Sequence, residues 1–303
     1  MKFGITLKES GGDPAGQALR AENLGFDSVW AGEHVVWRHP IQDSLMQMAA
    51  AAAVTERIEL GTAIVLIPLK HPILLCKAVT TLDHLSGGRV RFGIGIGGEY
   101  PREFEAMGVP VNERGPRANE TIRLMKRLWT EESVTFSGRF FQIEDVGLEP
   151  HPVQKPHPPI FVGGRRKSVR RTALYGDGWI PYMYSPELFR EGWQQIREIA
   201  EGAGRDPGEI EPTVWVPVCI DDDYDEAARM SSRALGGDYD QSFDSIVRKY
   251  ALLGTPEQIA ARMEEYREAG VEHFIFSPSG PEEVTAEMPE RIAREVIPLF
   301  GWG

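Results

Sequence analysis

Glu33 and His34 are followed closely by Trp37 and His39, which places a carboxylate, two imidazoles and an indole on one short stretch. Imidazole titrates near neutral pH, so His34 is suited to taking up and returning a proton. Glu99 adds a carboxylate that could exchange protons with His34. Gly163-Gly164-Arg165-Arg166 carries a different chemistry, because backbone N–H groups freed by two glycines and backed by two guanidinium groups suit a phosphate. Gly93, Gly95 and Gly98 match G-x-G-x-x-G, the dinucleotide fingerprint, but Glu99-Tyr100-Pro101 starts no evident helix to receive a pyrophosphate. That reading is set aside. Each group has a plainer alternative: a structural histidine, a solvated rim carboxylate, a solvated basic turn, and glycines that serve close packing. No metal-ligand spacing emerges among the seven histidines, and no G-x-S-x-G element is present.

These residues sit where a repeating strand–helix pattern would put a binding site. Two apolar runs rich in β-branched residues, 58–67 and 90–96, flank an amphipathic stretch at 72–85, so the order is strand, helix, strand. Further strands are expected at 2–7, 26–31, 160–162, 178–180, 214–220 and 271–277. Helices are expected at 14–24, 43–54, 116–129, 168–175, 186–201, 225–235, 243–252, 256–269 and 289–300. Thr255 and Gln258 form a capping box, and Gly270 ends that helix. Eight strands alternating with helices predict a (β/α)8 TIM barrel, with an open doubly wound sheet as runner-up. The site then lies at the carboxyl ends of the strands, near Thr62 to Ile64 and Gly95 to Glu99. The segment 100–115 reads as a long loop, 134–143 as a small hairpin, and 150–159, with five prolines, as extended chain. The whole of 1–303 is expected to be one barrel domain with an insertion at the C-terminal face of the strands, at about 100–159.

Bulk composition narrows the partners. A net charge of −12 disfavours nucleic acid and anionic membranes, while leaving room for a local basic pocket. With 42% hydrophobic and 26% charged residues the chain is an ordinary globular one. Two cysteines, Cys76 and Cys219, suit a reducing compartment, and Lys2 enters a strand at once, so a cytoplasmic protein without a leader is expected.

The chain resembles the luciferase-like monooxygenase superfamily, in particular its deazaflavin (coenzyme F420)-dependent oxidoreductases. The resemblance runs along essentially the whole chain. It is most specific in LGFDSVWAGEHV at 24–35, in RIELGTAIVLIPLKHPILLCKAVTTLDHLSGGRVRFGIGIGG at 57–98 and in FVGGRRKSVRRTALYGDGW at 161–179. It implies a barrel, usually dimeric, with a flavin-like ring across the strand ends and a cis peptide between Ala63 and Ile64 beneath that ring. Glu33 stands where the family often has aspartate, at a cofactor contact. By the same resemblance Gly97 and Gly98 flank the ring, Gly163 to Arg166 hold the phosphate, and His34 is the active-site histidine with Trp37 and Glu99 beside it.

What the resemblance implies is hydride transfer between F420 and a small organic substrate held under the insertion. FMN shares the tricyclic ring and ribityl phosphate, so a reduced-FMN monooxygenase is the alternative. A non-enzymatic flavin-binding protein is a third class.

Overall fold

Eight parallel strands close on themselves. A computed structural model describes residues 1–8, 12–239 and 244–300 of the chain. The strands are β1 (Lys2–Thr6), β2 (Ser28–Ala31), β3 (Glu59–Thr62), β4 (Val90–Gly95), β5 (Ile160–Gly163), β6 (Gly178–Ile180), β7 (Glu211–Ile220) and β8 (His273–Pro278). Each pairs in parallel with its chain neighbours, and β1 pairs with β8 through Lys2–His273 and Ile5–Phe276, which completes the ring. The protein is a (β/α)8 barrel, as the alternation of elements predicts.

The helices surround the ring: α1 (Pro14–Leu24), α2 (Ser44–Ala52), α3 (Pro72–Ser86), α4 (Pro101–Ala106), α5 (Arg114–Thr130), α6 (Ser168–Tyr175), α7 (Pro186–Gly202), α8 (Tyr224–Tyr239), α9 (Asp244–Tyr250), α10 (Pro256–Glu268) and α11 (Glu282–Arg291). Five of them, α1, α3, α4, α7 and α10, begin with proline, where a missing N–H costs nothing. Thr255 and Gln258 form both bonds of the capping box, and Gly270 follows with φ 104°. The helix expected from Phe243 is seen from Asp244; Phe243 itself lies outside the described residues. Among the described residues, no helix is long and apolar enough to cross a membrane.

Three expectations are corrected. The third strand does not run through 58–67, because Ala63 and Ile64 are joined by a cis peptide and leave the ladder, which resumes at Val65–Leu66. The segment 100–115 is not a loop. It holds α4 and a 3-10 turn at Val111–Glu113, and α4 hides its amphipathic signal because it buries Glu103 together with Phe104. The closing helix starts at Glu282 and contains Pro289, then continues as a π-helical turn at Ile292–Val296.

Inside the ring, Trp30, Phe161, Ile180 and Ile275 pack together under the strand ends. Trp30 fills the space that a side chain at Gly61 would need, since a Cβ there would stand 2.1 Å from its ring. At the opposite pole the imidazole of His273 bridges Ser28 Oγ (2.8 Å) and Glu211 Oε1 (2.7 Å). Buried carboxylates fasten the outer chain. Glu22 accepts from the N–H groups of Glu56, Arg57 and Ile58, and Glu120 accepts from those of Arg139, Phe140 and Phe141 at the tip of the 134–146 hairpin. Each such bond to a charged acceptor is worth more than a neutral one.

Candidate active site

A cavity of ≈ 1380 Å³ opens at the carboxyl ends of the strands. It exceeds the usual volume for a small ligand alone. Ala63 and Ile64 after β3, Gly95 and Gly97 at the end of β4, Ile180 in β6 and Trp215 in β7 line it. The Ile64 side chain lies in the gap left by two glycines: a Cβ on Gly95 would stand 2.1 Å from Ile64 Cδ1, and one on Gly163 would stand 2.6 Å from its Cγ2. A Cβ on Gly93 would meet the Thr62 carbonyl at 1.6 Å. Gly93 and Gly95 therefore serve close packing beside the Ala63–Ile64 peptide, and the G-x-G-x-x-G spacing has no dinucleotide meaning.

The loop after β2 brings Glu33, His34 and Trp37 to the cavity. Glu33 is buried, with Oε2 accepting from Ser44 Oγ at 3.0 Å. Lys70 Nζ stands 3.2 Å from Oε1 but off the direction of a hydrogen bond, so that oxygen lacks a hydrogen-bond partner. Burial raises the Glu33 carboxyl above its ordinary pKa, with Lys70 and Ser44 opposing. The His34 ring stacks on Trp37 at 3.7 Å between centroids, and its Nδ1 lies 3.3 Å from Glu103 Oε2. Glu103 is wholly buried; its Oε1 accepts from Val35 N at 2.6 Å and Val36 N at 3.2 Å. When the Glu103 carboxylate is ionised it only accepts, and a neutral His34 then carries its proton on Nδ1 and keeps a lone pair on Nε2.

Glu99 has a different partner. Its Oε1 accepts from Tyr182 Oη at 3.2 Å, and both residues line the cavity. Burial, then the charge and hydrogen bond of Glu99, push the Tyr182 phenol well above its usual pKa. The acids at the cavity thus form two pairs, His34–Glu103 and Glu99–Tyr182.

The basic turn faces the same cavity from β5. Gly163, Gly164, Arg165, Arg166 and Lys167 all line it, and Gly164 has φ 128°, a conformation open to glycine. Ser168 Oγ donates to Gly164 O at 3.2 Å and accepts from Trp179 Nε1 at 3.0 Å, which fixes the turn to the barrel. Arg165, Arg166 and Lys167 are exposed. An apolar region, a buried carboxylate and a cationic turn on one cavity fit a ligand with a planar polar-edged ring at one end and an anion at the other.

Residues 6–273 match the family described as luciferase-like monooxygenase. The chain belongs to that family. An F420-dependent glucose-6-phosphate dehydrogenase of Kineococcus radiotolerans is 28% identical over 93% of this chain and 91% of its own. An uncharacterized protein of Mycobacterium tuberculosis is 36% identical over 68% of this chain and 80% of its own. The crystal structure of a monooxygenase from Streptomyces bottropensis superposes with a TM-score of 0.85 at 29% identity, covering 99% of this chain and all of that one.

Of the residues singled out from the sequence of this luciferase-like chain, Gly98 does not line the cavity. It has φ 115° and supports Arg114 instead, whose Nε would be 2.8 Å from a Cβ there. Sequence reading missed Glu103, because α4 reads as loop, and Tyr182. The signal for Tyr182 was present: it follows the sixth strand by two residues, on the rim where barrel sites are built.

Proposed function

We propose that the protein is an F420-dependent oxidoreductase that exchanges a hydride with a small organic substrate, an alcohol or the corresponding carbonyl compound. The observation that carries this reading is one cavity that joins the Gly163–Lys167 basic turn to a histidine with a free, oriented Nε2. The name of the Kineococcus radiotolerans relative favours F420 as the cofactor. When bound, F420 supplies a deazaflavin ring that donates or accepts a hydride.

The chain's own residues do the rest. Ala63, Ile64, Ile180 and Trp215 offer apolar surface to the ring, and Glu33 Oε1 offers it a hydrogen-bonding group that burial biases toward the protonated, donating form. The turn N–H groups with Arg165 and Arg166 hold the phosphate. In the oxidative direction, His34 Nε2 takes the hydroxyl proton as the substrate C–H leaves as hydride, so a proton and a hydride, two hydrogens and two electrons in all, are removed together. Glu103 stabilises the imidazolium that forms, and Trp37 covers one face of the ring against water. In the reductive direction the same Nε2 returns the proton.

Titrating purified protein with F420 and with FMN tests the reading. Saturable F420 binding, followed by substrate-dependent change of its absorbance, is the expected result. Micromolar FMN binding without F420 binding would instead make the chain a reduced-FMN monooxygenase. Cofactor binding with no turnover on any alcohol or carbonyl substrate would leave a carrier protein. We also propose a cytoplasmic homodimer. Met46 on α2 and Leu74 and Leu85 on α3 are 63%, 72% and 61% exposed, an apolar set that a second copy would cover. Light scattering that returns a monomer mass would exclude the dimer.

A further inference from the structure

Among the described residues, Arg114 and Arg171 on the wall of the cavity have no carboxylate partner. Arg171, on α6, donates from Nε to Asn119 Oδ1 at 2.7 Å and from Nη2 to the Gly115 carbonyl at 3.4 Å, which are neutral acceptors. Burial lowers its pKa, and the influence opposing that shift comes from Tyr175 rather than from a carboxylate. Arg114, the first residue of α5, donates from Nη1 to Val111 O at 2.7 Å, while its Nε is buried with no partner. Both arginines line the cavity, Arg171 beside Gly115 and Arg114 beside Gly98.

A guanidinium drawn out of water without an anion is costly, and a buried donor without an acceptor needs an explanation. Arg89, set among backbone carbonyls, and Arg117, over the Phe140 and Phe141 rings, likewise lack a carboxylate partner among the described residues, but neither lines the cavity. Lys8 and Arg20, on another wall of the same cavity, pair with Glu282 and Glu290. In a protein of net charge −12, acidic partners are abundant. Yet among the described residues no Asp or Glu lies within ion-pair distance of Arg114 or Arg171, nor of Arg165, Arg166 or Lys167 in the adjacent turn.

Charge counting separates two roles for these five cations. The phosphodiester of F420 carries one negative charge, and the exposed Gly163–Lys167 turn is sufficient for it. Arg114 and Arg171 remain, set on α5 and on the second turn of α6. They ask for carboxylates or phosphate beyond the first anion. FMN ends at its phosphate, whereas the F420 side chain continues into glutamyl units that each add a carboxylate.

We propose that Arg114 and Arg171 form a second anion subsite that takes the glutamyl side chain of F420. The proposal rests on the F420 reading and narrows it, because it makes affinity depend on a part of the cofactor remote from the chemistry. A phosphate on the substrate has the same ionic chemistry, so the experiment separates the two sources.

The full chain is titrated by fluorescence with F420 that carries no glutamate and with F420 that carries several. The longer form is expected to bind about tenfold tighter, the return of one or two charge-assisted hydrogen bonds. Its affinity should also fall more steeply with added salt. Arg114→Gln and Arg171→Gln should each remove most of that difference and leave binding of the glutamate-free form little changed. Equal binding of the two forms by the parent protein overturns the subsite, and this comparison needs no variant to fold. Equal weakening of both forms in the variants also overturns it, by placing the arginines at the phosphate or in the fold. So does a preserved length dependence with a raised KM for a sugar phosphate, which assigns them to substrate. Failure of every F420 form to bind would overturn the cofactor reading and the subsite with it.

Discussion

Glu103 Oε2 lies 3.3 Å from His34 Nδ1, and the same carboxylate receives the backbone N–H groups of Val35 and Val36. One buried side chain thus holds the loop after β2 and sets which nitrogen of His34 is free. The two functions can be separated by substitution. In Glu103→Gln the amide oxygen keeps the loop bonds while the NH2 group donates to Nδ1, which moves the ring proton to Nε2. We expect kcat to fall about 10²-fold or more, with little change in Tm or cofactor Kd. Nitrogen-15 NMR of the His34 ring reports the tautomer directly. An unchanged kcat with an inverted tautomer would remove the general-base role.

His34→Ala should lower kcat about 10²–10⁴-fold, the usual contribution of a positioned acid or base, and leave cofactor affinity nearly unaltered. Turnover per bound cofactor, with a thermal melt of the same sample, is the measurement. Full activity in the folded fraction would mean that the imidazole only fills the loop.

The exposed guanidinium groups of the β5 turn should matter for binding and not for the bond-making step. Arg165→Ala or Arg166→Ala is expected to weaken cofactor binding by about 1.5–3 kcal/mol, the range for hydrogen bonds to charged groups. Unchanged affinity in both variants takes these side chains out of the phosphate site and leaves the backbone N–H groups as its donors.

The far pole of the barrel sets an acid limit. Burial alone would raise the Glu211 carboxyl, but the His273 hydrogen bond and the charges of His273, Lys2 and Arg91 hold it down at about 2, from an ordinary 4.5. A depressed folded-state pKa gives stability that is present above pH 4.5 and is lost as pH falls toward 2. The shift corresponds to about 3 kcal/mol as an order of magnitude. Glu211→Gln should therefore be less stable at pH 7 and show a flatter loss between pH 4.5 and 2. Urea titrations across that range test it; parallel acid limbs for the two proteins would show that other carboxylates control acid unfolding.

Gly95→Ala should displace Ile64, since the new Cβ would fall 2.1 Å from Ile64 Cδ1. Overpacking of this kind costs about 1–3 kcal/mol. Adding Ile64→Val removes the clashing methyl and should recover part of the loss. A double-mutant cycle with no coupling would show that the two residues do not share that space.

The barrel was legible in the sequence because its signals are local. Short β-branched runs such as 90–96, proline at helix starts and the Thr255–Gln258 box each act over a few residues. The loop carrying Glu33 and His34 and the basic turn at 163–166 were legible for the same reason, since each lies directly after a strand and barrel sites collect at strand ends. The partners were not. His34 meets Glu103 across 69 residues, and Glu99 meets Tyr182 across 83. Nothing in linear spacing distinguishes Glu99 from Glu103 as the acid beside His34. Only the docking of α4, a six-residue helix that buries its acidic Glu103, decided it. The uncompensated charge of Arg171 is equally invisible in one dimension: its residue type is plain, but the absence of a carboxylate around it becomes defined only when α5 and α6 pack together over the cavity.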